Sequence, residues 1–310
     1  MNIQKYFTLS ILMSACIYFM SCEKDVKSST IEGSKKEVVN QTSKCPNYIL
    51  KEKDNNLNIS VLLDLSDRIK NPKTKLKDSA YLSSLAYAFV NHVKRKKVIL
   101  LEDRIQLFFN PEPTDERINS IAEKLKVRFS KGTSRSQLEE TLKLYSEYPS
   151  QLYNLAQEDA KIAGGYPGSD LWRFFKDNIN DYCIDECHRN IVVILTDGYM
   201  YYDKTVMKED NKTSYLTPRS LNALKLNTSN WENDFKTRQL GFIPANKNLN
   251  DLEVLVIGIT SQNDNNPYAK DIIELYWSDW LKSMNVKNFK IKNADLPSSI
   301  EKVISDFINN

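Results

Sequence analysis

The segment NISVLLDLSDRIKN places two carboxylates, a hydroxyl and a guanidinium directly after an apolar run. These groups belong to Asp64, Ser66, Asp67 and Arg68. Such a set could hold a metal ion, take part in catalysis, or only terminate a buried strand. Two later segments, GGYPGSD and LTDG, are also polar and follow or precede apolar stretches. Whether the three segments act together depends on the elements that position them.

Short apolar runs alternate with amphipathic stretches along most of the chain. Strands are predicted at 58–64, 104–110, 126–130, 190–198, 251–260 and 288–293. Helices are predicted at 77–97, 170–181, 266–284 and 296–308, and over 136–163 with an interruption at Pro149. This alternation indicates an α/β fold, doubly wound, with a mostly parallel sheet and helices on both faces.

Ligands of open α/β sheets bind at the carboxyl ends of the strands. If the strands are parallel, the three polar segments therefore lie at the same edge of the sheet. One connection between predicted core strands, at about 199–250, is longer than usual and rich in Tyr, Asn, Lys and Thr. A connection of that length indicates an insertion with a function or a structure of its own.

The first residues are typical of an export segment. A polar start with Lys5 precedes about 15 apolar residues, fewer than the ~20 needed to span a bilayer. The segment resembles a signal peptide of bacterial lipoproteins of the Bacteroidetes type, which implies lipidation at Cys22 after cleavage of residues 1–21. Cys16 is a second candidate. Residues 22–55 are predicted to form a flexible tether, and 56–310 the folded domain.

The domain resembles the von Willebrand factor A (vWA) family. In that family the first strand ends in Asp-x-Ser-x-Ser, a Thr opens a later helix, and the fourth strand ends in Thr-Asp-Gly. The resemblance implies a metal-ion-dependent adhesion site that holds Mg²⁺ or Mn²⁺ and leaves one position for a ligand carboxylate. Its ligands here would be Asp64, Ser66, Ser169 and Asp197. Asp170 and Thr133 are rivals for the position of Ser169.

Arg68 departs from the family pattern, because it stands where the family has its second Ser. A guanidinium is always charged and repels a dication. Arg68 could replace the metal by pairing with Asp64 or Asp197 if it points inward, or leave a weak metal site if it points outward. The remaining predicted rim of a ligand site consists of Asp67, Asp170, Tyr166, Tyr199 and Tyr201, because tyrosines offer rigid contact area with a polar tip. The three tyrosines could equally pack beneath the insertion.

The leading hypothesis is thus a lipid-anchored binding module of the cell envelope. It would lie at the outer membrane, facing the periplasm or the cell exterior, and bind a protein partner. One alternative is a metal-dependent hydrolase of the phosphoesterase kind at the same strand ends. Another is a metal-free structural part of an envelope complex. A net charge of +3 without a basic stripe argues against nucleic-acid binding.

Three cysteines follow the export segment: Cys45, Cys183 and Cys187. In an exported protein a disulfide is the expected use of such residues. The simplest pairing joins Cys183 to Cys187, at the entry to the strand that ends in LTDG. A zinc site would need Cys45 to come in from the tether.

Overall fold

The protein is described by a computed structural model that covers residues 45–262 and 265–309. The predicted signal peptide and Cys22 lie outside these residues. The helices are α1 (Asn47–Leu50), α2 (Pro72–Lys94), α3 (Glu116–Lys124), α4 (Arg135–Ile162), α5 (Leu171–Arg173), α6 (Ile179–Cys183), α7 (Pro218–Ala223), α8 (Trp231–Thr237), α9 (Ala269–Ser283) and α10 (Pro297–Asn309). The strands are β1 (Leu57–Leu63), β2 (Glu102–Phe108), β3 (Val127–Ser130), β4 (Arg189–Leu195), β5 (Lys208–Glu209), β6 (Lys212–Thr213), β7 (Gly241–Phe242), β8 (Leu252–Ile259) and β9 (Asn288–Asn293).

Six strands form one sheet in the order β3-β2-β1-β4-β8-β9. All neighbouring pairs are parallel except β2 with β3. The predicted mixed α/β fold with a mostly parallel sheet is therefore confirmed. The central strands β1, β4 and β8 are buried along almost their whole length, which explains why they are continuous apolar runs in the sequence.

Alternate residues of the central strands belong to two separate hydrophobic clusters. Ile59, Val61 and Val193 pack in one cluster, together with side chains of α2, α3, α4 and α10. Val192 and Val254 pack in the other, together with side chains of α9 and of the segment 171–183. Because successive strand residues point to opposite faces, both faces of the sheet are covered.

The predicted break at Pro149 is wrong. Helix α4 runs without interruption through this residue, and Pro149 is buried among the side chains of its inner face. A proline inside a helix removes one backbone hydrogen bond. Here burial of the helix face, including Tyr145, Leu152 and Tyr153, holds the helix together across that point.

The connection 199–250 contains strands and helices of its own. It contains a small three-stranded sheet in the order β5-β6-β7, and helices α7 and α8. Its apolar side chains, among them Leu221, Phe235 and Phe242, join the hydrophobic cluster that includes α9. The insertion is thus part of the main core.

The predicted pairing of Cys183 with Cys187 is wrong. Cys187 forms a disulfide with Cys45, with Cα atoms 5.4 Å apart, while Cys183 is a free thiol buried beneath the sheet. Residues 45–55, which the sequence assigned to the tether, contain α1 and a 3₁₀ turn at Lys53–Asn55. The disulfide joins this segment to the entry of β4, and proximity in sequence gave no hint of so distant a partner.

Reduction of this disulfide is expected to lower the free energy of unfolding by about 2–4 kcal/mol. The intact cross-link closes a long loop and so restricts the unfolded chain. Urea unfolding with and without reductant measures the effect. Non-reducing peptide mass spectrometry should yield a Cys45–Cys187 peptide, also in a Cys183→Ala variant. Recovery of a Cys183–Cys187 peptide would contradict the assignment.

None of the helices in 45–262 and 265–309 has the combined length and apolarity that crossing a bilayer requires.

Candidate functional site

The loops that follow β1, β4 and β8 leave the sheet at the same edge. Asp64 comes directly after β1, and its backbone N–H still bonds the carbonyl of Leu195, 3.1 Å away. Its carboxylate accepts from the Ser66 N–H at 2.9 Å and from the Thr196 hydroxyl at 2.8 Å. Asp64 is thereby held at the strand end by the loops after β1 and β4.

Asp197 stands in the loop after β4 and is almost fully buried. Its carboxylate accepts from the Tyr199 N–H at 3.1 Å and from the Gln262 side chain at 3.2 Å. Burial, followed by the nearby charge of Asp64, raises the pKa of Asp197 to about 7. Asp64 is buried as well, so the two negative charges act on each other in a desolvated site, which favours protonation or a nearby cation.

Gly198 shapes this loop through its positive φ of +95°. A Cβ atom at this position would lie 2.4 Å from the Ile273 side chain and 2.8 Å from that of Ile259. Only glycine therefore lets the loop turn over the start of α9, and the turn is what aims Asp197 at the site.

Ser66, Ser169 and Asp197 line one cavity of about 430 Å³. The backbone N–H of Ser169 donates a hydrogen bond to the Tyr201 carbonyl at 2.7 Å, which positions Ser169 at this cavity. The Ser169 hydroxyl is buried and has no hydrogen-bond partner in the described part of the chain. A buried oxygen without a partner calls for a ligand, a water or an ion. The structure thus brings three of the four predicted ligands to one cavity, with Asp64 buried beside them.

The two rivals of Ser169 are excluded by their places in the fold. Asp170 is buried, caps the first turn of α5 through the Arg173 N–H, and accepts a hydrogen bond from Thr205. Its predicted place on the ligand rim is therefore wrong, since its carboxylate is used in capping. Thr133 follows the antiparallel strand β3 and so lies at the opposite edge of the sheet.

Arg68 points inward and pairs with a carboxylate that the sequence did not indicate. Its Nη1 lies 2.8 Å from the Asp78 carboxylate and 3.1 Å from the Asp64 carbonyl. Both side chains are buried, with 4% and 2% of their surface exposed. The hydroxyl of Tyr153 donates to the same oxygen of Asp78 at 2.5 Å. Burial alone would lower the pKa of Arg68, but Asp78, Tyr153 and Asp64 outweigh it and raise that pKa.

Four other residues of the predicted rim line the same cavity. Tyr166, Tyr199 and Tyr201 line the cavity together with the exposed Asp67. Tyr201 is well exposed, whereas Tyr199 is buried. Gln262, after β8, also lines the cavity and was missed, because a lone glutamine in a polar loop carries no sequence signal.

The residues present fit an oxygen-ligated cation. No group of three or more His, Cys, Asp or Glu side chains with metal-binding spacing occurs in the part of the chain that the structure describes. The candidate set contains two carboxylates and two hydroxyls instead, and Mg²⁺ accepts such oxygens with waters completing its shell. The Ser169 hydroxyl without a partner is the observation that favours this fit.

No protein-family model matches the chain, and no curated protein shows significant similarity to it. Among solved structures, the chain is similar to the pilus adhesin SpaC from Lactobacillus rhamnosus GG in its open conformation, at 12% identity and a TM-score of 0.38. The match covers 82% of this chain and 30% of the adhesin chain.

Proposed function

We propose that this chain is a lipid-anchored, exported binding module of the vWA kind that engages a protein ligand through a divalent cation. The cation, Mg²⁺ or Mn²⁺, would be held by Asp64, Ser66, Ser169 and Asp197. When bound, it would offer a coordination position to an oxygen of the ligand. The tyrosines around the cavity would supply contact area, because large side chains with polar tips serve both apolar and hydrogen-bonding contacts.

The observation that carries this proposal is the pairing of Arg68 with Asp78. A guanidinium paired with Asp64 or Asp197 would have taken the place of a cation. Instead, the charge of Arg68 is balanced by a third carboxylate on α2. The carboxylates of Asp64 and Asp197 therefore form no ion pair with Arg68, although its charge lowers the pKa of Asp197 against the effect of burial. The same site contains the Ser169 hydroxyl, which has no hydrogen-bond partner among the described residues.

The strand order and the helices on both faces of the sheet support a doubly wound fold of the vWA kind. A doubly wound arrangement needs parallel strands with helices packed on both faces, and both hydrophobic clusters contain helices. The antiparallel β3 at one edge does not affect the loops after β1, β4 and β8, which form the site.

Titration with MnCl₂ or MgCl₂ tests the proposal. We expect one cation per chain by calorimetry, and thermal unfolding at higher temperature, because a ligand that binds only the folded state stabilises it. Asp197→Ala should abolish both effects. Asp203→Asn is the matched control, since Asp203 is an exposed acid of the insertion outside the cavity.

A metal-free structural role is the second candidate, and the buried group of Arg68, Asp78 and Tyr153 favours it. Such a network could fix the strand end as a rigid docking surface. If neither Mg²⁺ nor Mn²⁺ changed the unfolding temperature, the metal-free structural role would be favoured. The hydrolase alternative is less well supported, because both histidines lie far from the site. His92 bonds the Asn55 carbonyl and His188 the Glu102 carbonyl, at the opposite edge of the sheet.

The lipid anchor gives a separate prediction. We expect Cys22→Ala to move the protein from the membrane fraction to the soluble fraction, because the acyl chains would no longer be attached. Cys16→Ala should leave it in the membrane fraction. Metabolic labelling with a palmitate analogue measures the modification directly. Loss of label in Cys16→Ala and not in Cys22→Ala would assign the anchor to Cys16.

A further inference from the structure

The turn between α2 and β2 exposes three consecutive large apolar side chains. Val98, Ile99 and Leu100 have 55%, 77% and 46% of their surface exposed. They form a single 3₁₀ turn. Scattered exposed apolar residues are ordinary in proteins, but a contiguous exposed run is typical of a surface that binds a protein or a membrane.

Basic side chains directly precede this turn in the chain. Lys94, Arg95 and Lys97 are exposed immediately before it. Lys96 points inward, 2.6 Å from the Asp103 carboxylate. The pairing of Glu102 with Ser130 brings the exposed Lys131 to the same edge. The apolar tip therefore has exposed basic side chains before it, and the partly exposed Glu102 after it is paired with Arg128 at 3.1 Å. We call residues 94–100 the basic-apolar turn.

The basic-apolar turn lies at the edge of the sheet opposite the candidate site. Helix α2 begins near Arg68 and, at 1.5 Å per residue, ends about 34 Å away. The described chain also enters at this edge. Cys45 is joined to Cys187 just before β4, and Lys96 bonds the Asn55 carbonyl at 2.6 Å. A membrane anchor upstream of residue 45 would therefore lead to this edge.

We propose that the basic-apolar turn docks on an anionic phospholipid surface. Val98, Ile99 and Leu100 would enter the headgroup region, and Lys94, Arg95 and Lys97 would lie among the phosphates. A second copy of the chain is a poorer occupant, because it would bring the same positive charges face to face. Docking would turn the candidate site away from the membrane. The inference rests on the proposed lipid anchor only for holding the chain at a membrane.

Depth-dependent fluorescence quenching tests this docking. The full chain is reconstituted into vesicles of phosphatidylethanolamine and phosphatidylglycerol, with and without brominated acyl chains. We expect Ile99→Trp to show blue-shifted emission and quenching by brominated lipid, beyond the signal of the parent chain. Leu76→Trp is the matched control, because Leu76 is 69% exposed near the other end of α2. It should show neither effect.

Charge reversal separates lipid docking from other causes. Lys94→Glu with Lys97→Glu, added to Ile99→Trp, should lower the ratio of docked to free turn by about 25-fold or more, taking about fivefold per basic residue. If the chain stays with the vesicles but Ile99→Trp is no more quenched than Leu76→Trp, the docking proposal fails while the anchor stands. If the blue shift arises without vesicles and depends on protein concentration, a second copy covers the turn and the proposal is wrong.

Discussion

Replacement of Arg68 by methionine is expected to lower the free energy of unfolding by about 3–5 kcal/mol, because it leaves the buried carboxylate of Asp78 without its countercharge. The hydroxyl of Tyr153 would remain as a donor to Asp78, but a single neutral donor does not replace a guanidinium. Asp78→Leu should lower the free energy of unfolding by a similar amount, since it leaves the buried guanidinium of Arg68 without its countercharge. Urea unfolding of both single variants measures these losses.

The double variant Arg68→Met, Asp78→Leu is the decisive comparison. Replacing both partners of a buried pair by apolar residues is often neutral, so the double variant should recover most of the stability that either single change loses. The exposed pair of Lys126 and Glu123 is the matched control, and its removal should cost less than about 1 kcal/mol. Losses below that value for Arg68→Met would contradict the buried pair.

The hydrophobic pattern of the sequence was sufficient to predict the mostly parallel sheet and the strand ends that carry most of the candidate residues. The central strands are buried on both faces, so their apolar runs are uninterrupted and easy to recognise. Their parallel order then places the loops holding Asp64, Ser66 and Asp197 at one edge. Local hydrophobic pattern and chain topology were enough for these residues, because each follows an identifiable strand.

Contacts between distant parts of the chain were not predictable in this way. Asp78 lies on one face of α2 like many helical acids, and only the packed structure shows that it faces Arg68 and Tyr153. Cys45 stood in a polar segment without periodicity, so its link to Cys187 had no local signal. The structure also changes the question that Arg68 raised. Its guanidinium is buried, yet it pairs with Asp78 and forms no ion pair with Asp64 or Asp197.

In the cation-free protein, the contribution of Asp197 to stability is expected to fall as the pH rises from about 4 to about 7. Burial and the charge of Asp64 raise the pKa of Asp197 to about 7 in the folded state. Within that interval the folded state holds a proton that the unfolded state has released. At this group the folded state therefore binds more protons, and Asp197 lowers the free energy of unfolding by about 2–4 kcal/mol across the interval.

Asp197→Asn isolates this contribution, because the variant has no proton to lose. Below about pH 4 parent and variant should titrate alike, and at pH 8 without cation the variant should be the more stable by about 2–4 kcal/mol. Groups such as Asp185 and Glu253, whose folded-state pKa values are lowered, contribute equally to both proteins and cancel in the difference. Addition of Mg²⁺ at pH 8 should restore the parent, because a cation neutralises the two carboxylates as a proton does at lower pH. It should leave Asp197→Asn almost unchanged. If the parent, Asp197→Asn and the exposed control Asp203→Asn gave parallel pH profiles of stability, the pKa of Asp197 would not be raised in the folded state and the prediction would be wrong.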